Sequence, residues 1–197
     1  AKVPVVVVGQ YTKYANCIYH DDYGAGKAMG KLAASLNQRF GGGHIAYIGV
    51  TRDDKAAGAA REDGFRAGLK SAGIELDDDY VRLSEFRTDS GYNAVLALLE
   101  EKDDIDIISC ATDTIAAGAI EALHAYEKRG TAHRRVTVTG FGDNQLLKAV
   151  SGGIPTIHFG YKTSGIRSAE LLLDVIERGE KIPIEMKLGF RLVNGEA

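Results

Sequence analysis

Two rhythms alternate along this chain. Short apolar or β-branched runs occupy residues 5–8, 45–48, 105–108, 136–139 and 156–159, with the length of buried strands. Between them apolar residues return at helical spacing. Residues 27–40 carry Met29, Leu32, Ala33 and Leu36, and residues 56–71 carry Phe65 and Leu69 on one face. Residues 92–99 and 114–128 read as helices, as does a last long segment with Ile166, Ala169, Leu172 and Ile176. Residues 18–20 and 81–83 predict short strands, residues 186–193 a closing strand, and Leu146 and Leu147 a short helix. Gly41, Gly42, Gly43 and Gly73 stop the helices before them.

Strand and helix in regular alternation predict an α/β fold with parallel sheets and right-handed crossovers. Ligands of such folds meet the loops at the carboxyl ends of the strands. Here those loops are polar: Gly9-Gln10, Thr51-Arg52-Asp53, Thr112-Asp113 and Gly142-Asp143-Asn144. Their repetition at one edge points to a ligand without specifying chemistry.

Composition narrows the field. A chain of 197 residues, 45% hydrophobic and 26% charged, is neither disordered nor dependent on a metal or disulfide. At that size it buries roughly 70% of its unfolded surface, enough for one domain or two small lobes. A net charge of -3 leaves no electrostatic footprint for nucleic acid. The densest basic cluster, Lys128, Arg129, Arg134 and Arg135, reads as a solvated helix end and loop. Cys17 and Cys110 have no metal-site spacing, and no apolar run is long enough to span a bilayer.

The chemical motifs fail in turn. Gly24, Gly26 and Gly30 form GxGxxxG, one residue longer than a dinucleotide fingerprint, and fit a helix start with close packing better. No phosphate loop, GxSxG elbow or HExxH pair occurs, and the histidines are scattered. Asp21 and Asp22 suit a helix cap and first-turn acid as well as a carboxylate pair. No catalytic residue, metal site or cofactor is therefore assigned, and binding outranks catalysis.

At Cys110-Ala-Thr-Asp-Thr-Ile-Ala-Ala-Gly-Ala119 a family pattern emerges. Arg61-Glu-Asp-Gly-Phe65, Val138-Thr-Gly-Phe-Gly-Asp143 and Pro155-Thr-Ile-His-Phe-Gly-Tyr161 with Gly165 agree with it, as do Val3-Pro4 and Asp21-Asp22-Tyr23-Gly24. The chain resembles the effector-binding core of the lactose/galactose repressor family, itself similar to periplasmic sugar-binding proteins. The resemblance implies a two-lobed periplasmic-binding-protein-like fold with parallel sheets and an incomplete first lobe. Residues 1–19 and 161–184 would belong to the N-terminal lobe, and residues 20–160 and 185–197 to the C-terminal lobe. It further implies a cytoplasmic repressor that binds a sugar or sugar phosphate between its lobes, forms a homodimer and reaches DNA through an N-terminal helix-turn-helix head absent from this chain, with no membrane partner.

Site residues follow from the same resemblance. Arg61 falls on the family's effector-contacting arginine, and Tyr19 and Tyr161 fall on aromatic positions flanking the cleft. Thr112 stands where Asn is frequent, while Gly142 and Gly9 replace acidic residues. Asp113 is retained, either touching the ligand or capping its helix, and Asp143 is placed to supply the carboxylate missing at 142. The Cys110-Ala-Thr-Asp113 stretch together with these losses is similar to repressors that sense trehalose phosphate, which makes Arg52 a second anion-binding candidate. Two alternatives stand beside this reading: a transport-associated sugar-binding protein and an α/β sugar-processing enzyme using Asp21, Asp22 or Asp143.

Overall fold

A computed structural model describes residues 3–129, 136–179 and 182–193. Arg134 and Arg135, half of the basic cluster, and His133 lie outside the described residues. The chain divides into two compact units, Ala1–Asp21 with Phe159–Arg191 and Asp22–His158 with Leu192–Ala197.

The smaller unit holds β1 (Val6–Val8), β2 (Asn16–His20) and β8 (Glu185–Leu188) in a parallel sheet of that order. Helix α6 (Tyr161–Arg178) packs on β1 and β2. Its inward residues are Ser164, Ser168, Leu171, Leu172 and Val175, spaced as one helical stripe. The stripe expected from sequence is displaced: Ile166 and Ile176 are exposed. One closing strand was also expected, within residues assigned to the other lobe. Instead Gly189 separates two strands: β8 joins β2 in the smaller unit, and β9 (Phe190–Val193) ends the larger sheet. Parallel partners so distant in sequence leave no local signal in the strand itself.

The larger unit is built on the strand order β4-β3-β5-β6-β7-β9. The first five are β3 (His44–Gly49), β4 (Val81–Leu83), β5 (Ile105–Cys110), β6 (Thr137–Phe141) and β7 (Thr156–Phe159), with parallel neighbours. The two central strands are almost wholly buried, which their Ile- and Val-type content permits. Asp106, buried in β5, is compensated by the Gly43 amide, which donates to its Oδ2 at 2.7 Å.

Helices α1 (Asp22–Phe40) and α2 (Arg61–Lys70) pack on each other, as do α3 (Thr88–Glu101) and α4 (Asp113–Glu127). The step from β3 to β4 runs outward and carries α2, whereas the return to β5 carries α3. Right-handed crossovers therefore put the two helix pairs on opposite faces. Winding reverses between β3 and β5, which makes the carboxyl ends of those strands the natural ligand edge.

The expected packing role of the GxGxxxG segment is met, although α1 starts at Asp22 rather than near residue 27. A Cβ on Gly26 or Gly30 would overlap the carbonyl oxygen of Arg61 or Phe65 in α2. Gly64 and Gly68 return the fit against Tyr23 and Lys27 of α1. Four glycines thus let two helix backbones touch. Gly26→Ala and Gly64→Ala are each expected to destabilise by roughly 1–3 kcal/mol or more, lowering the melting temperature by several degrees. Gly165→Ala, with nothing within 4 Å of the added Cβ, should leave melting unchanged or raise it. Melting curves followed by circular dichroism check the contrast.

Candidate functional site

Arg61 opens α2 directly beneath the point where the winding reverses. A six-residue π-helical turn, Lys55–Ala60, leads into it, with the Asp54 side chain accepting from the Ala56 and Ala57 amides. The guanidinium is buried. Its Nε donates to Asp22 Oδ1 at 2.8 Å, one terminal nitrogen donates to the Ala111 carbonyl at 2.7 Å, and the Phe141 ring lies 5.1 Å away. One side chain thereby joins the start of α1, the start of α2 and the ends of β5 and β6. A buried arginine requires this kind of compensation, because its charge is lost to water.

Thr112 and Asp113 follow β5. Thr112 is the N-cap of α4, its hydroxyl accepting from the Ile115 amide at 3.2 Å. Both oxygens of the Asp113 carboxylate are engaged inside the unit: Oδ2 accepts from the Asn144 amide at 2.7 Å and Oδ1 from the Thr156 hydroxyl at 2.7 Å. Burial pushes its pKa up, against the opposing pull of those two donors. To the two readings open for Asp113, capping or ligand contact, the geometry adds a structural one. It is a brace between β7 and the loop after β6. The hollow beside it, lined among others by Asp143, Asn144, Lys148 and Ile154, measures about 20 Å³, room for a water.

Asp143 stands in the middle of that loop, next to Asn144. Its Oδ2 lies 2.9 Å from His158 Nδ1, and its side chain is mostly buried while the histidine is partly open. Arg52, after β3, pairs with Asp63 at 2.8 Å and Glu62 at 3.2 Å. Both acids lie in the first turn of α2, so the second anion-binding candidate already faces two carboxylates.

The smaller unit holds the two tyrosines, on opposite sides of β2. The Tyr19 hydroxyl donates to Glu185 of β8, a bond that, with partial burial, pushes its pKa up to about 12. Its ring meets Tyr11 edge-on at 5.7 Å. Successive strand residues point to opposite faces, so it is His20 that joins Tyr161, at 5.4 Å, and Phe159, at 4.8 Å. Tyr161 is exposed at the first position of α6.

Sequence reasoning missed Phe141, His158 and His20 as members of these groups, and read Asp22 as a helix cap or first-turn acid or as one of a carboxylate pair, not as the partner of Arg61. Position in strand–loop units at the same sheet edge was the available signal for Phe141 and His158. Among the described residues no group of three His, Cys, Asp or Glu side chains is placed to hold a metal ion, and no helix is long and apolar enough to cross a membrane.

The Arg61 geometry changes what its removal does. Arg61→Ala leaves Asp22 buried without its arginine and is expected to destabilise by roughly 3–5 kcal/mol. Arg61→Ala combined with Asp22→Ala should recover part of that loss, as measured by urea unfolding. Fully additive losses would mean that the pair is not coupled.

The periplasmic binding proteins and sugar binding domain of the LacI family match residues 1–192. The sucrose operon repressor of Staphylococcus xylosus is 32% identical over 193 residues, covering 95% of this chain and 57% of the repressor. The regulator CelR of Thermobifida fusca is 28% identical over 177 residues, 90% of this chain and 50% of its own length. The chain thus spans about half of these relatives. A solved CelR–cellobiose complex superposes with a TM-score of 0.83 at 25% identity, covering 95% of this chain and 57% of that one. The trehalose repressor from Escherichia coli gives 0.77 at 25% identity, with 95% and 68% covered. The α/β architecture with largely parallel sheets read from the sequence is the architecture of these relatives, and the chain belongs to the LacI family as a periplasmic-binding-protein-like effector-binding core.

Proposed function

We propose that this chain senses a small carbohydrate for a transcriptional repressor that acts in the cytoplasm as a homodimer and contacts DNA through a helix-turn-helix head. The observation that carries the reading is Arg61. It is fixed at the reversal point of the larger sheet, beside the polar loops after β5 and β6, within a chain whose relatives include a sucrose operon repressor and a trehalose repressor. Effector binding shifts the repressor between two conformational populations and thereby changes DNA affinity; no bond in the sugar is broken.

Charge pairing favours a neutral sugar over a phosphorylated one. Arg52 faces Glu62 and Asp63, and Arg61 faces Asp22, so neither cation stands in excess over its own carboxylates. A phosphate would have to compete with acids already in place. Hydroxyl groups, which donate as well as accept, suit a site that presents carboxylates and guanidinium together.

Calorimetry of the full-length gene product against sucrose, cellobiose, trehalose and trehalose 6-phosphate tests this directly. The expected result is saturable binding of a neutral disaccharide, with the phosphorylated one weaker. Binding of the phosphorylated sugar alone would overturn the neutral preference, and binding of none would overturn the carbohydrate reading for these classes.

A further inference from the structure

The loop after β6 spends backbone strain on a single side chain. Asp143 has φ +52 and is the one non-glycine residue in the left-handed region among the described residues. That conformation costs an L-residue roughly 1–2 kcal/mol and persists only where the surroundings enforce it. They do so here. Gly142, at φ +145, donates its amide to the Ile157 carbonyl at 2.8 Å. Asn144 donates to the Asp113 carboxylate at 2.7 Å, and its own side chain caps helix α5 (Gln145–Ser151). The Asp143 amide is left with only a long approach, 3.4 Å, to the Thr156 hydroxyl.

Neither Gly142 nor Asp113 supplies a free carboxylate beside Asp143. At Gly142 the backbone lies where side chains are strained, and a Cβ would stand 3.2 Å from Asp113 Oδ2, forcing a second acid against a buried one. Asp113 itself has both oxygens occupied within the unit. Asp143 differs on this point. Its Oδ2 meets His158 Nδ1, and among the described residues no donor reaches Oδ1.

We propose that His158 is a positioning residue: its Nδ1–H holds Asp143 so that the other carboxylate oxygen accepts a hydroxyl of a neutral sugar. The assignment rests on the carbohydrate reading above and adds to it the residue that sets hydroxyl recognition. His158 sits on the largely buried β7, one strand over from the loop, and leaves the Asp143 carboxylate one orientation instead of several. Pre-orienting an acceptor in this way raises affinity by reducing what must be ordered on binding. Asp143 touches the sugar; His158 acts through Asp143.

The test is a double-mutant cycle read by calorimetry with sucrose, cellobiose and trehalose, on full-length protein whose melting temperature is checked for each variant. Asp143→Gly keeps the left-handed backbone and removes the carboxylate. His158→Asn keeps a donor near the Nδ1 position, and His158→Leu removes it. For the sugar that binds the parent, His158→Leu should weaken binding about tenfold and His158→Asn by less than about threefold. His158→Leu in the Asp143→Gly background should add nothing. Equal losses from Asn and Leu, or losses that multiply in the double variant, would overturn the positioning role and leave the carbohydrate reading standing. A parent that binds none of the three sugars overturns both.

Discussion

The larger unit depends on one buried cation. Arg61 carries a charge that the interior tolerates only because Asp22 and the Ala111 carbonyl receive it, and those partners come from different elements. The contact forms only if α1 and α2 approach closely enough for the start of one to face the start of the other. Gly26, Gly30, Gly64 and Gly68 permit that approach. Helix packing and site geometry are therefore one constraint. A side chain that separated the helices would also pull Arg61 from its carboxylate.

From this anchor the polar edge is organised by donors and acceptors satisfied within the unit. Thr112 caps α4, Asp113 joins β7 to the loop after β6, and Arg52 is held by two acids of α2. Three residues with obvious ligand chemistry thus have structural occupations. Asp143 is the exception, and its backbone is strained.

Much of this was legible in the residues themselves. Periodicity gave the strand–helix alternation, the GxGxxxG spacing gave helix packing, and the polar loops after the strands marked one edge. What escaped depends on contacts distant in sequence. The division of residues 185–193 between two sheets is decided by partners far away, β2 for one strand and the larger sheet's edge for the other. Tyr19 and His20 differ by one place in a strand, and a one-place difference reverses the face, so His20 and not Tyr19 lies against Tyr161. Arg52 reads as an anion-binding candidate because its partners Glu62 and Asp63 lie ten and eleven residues on, across a turn whose path the spacing does not reveal.

A crystal structure of the full-length protein with its bound disaccharide tests the central claim most directly. The expected result is a sugar hydroxyl within hydrogen-bond distance of Asp143 Oδ1 while the Arg61–Asp22 pair stays closed. A sugar bound away from the strand ends of the larger unit, or one that binds only by separating Arg61 from Asp22, would contradict it.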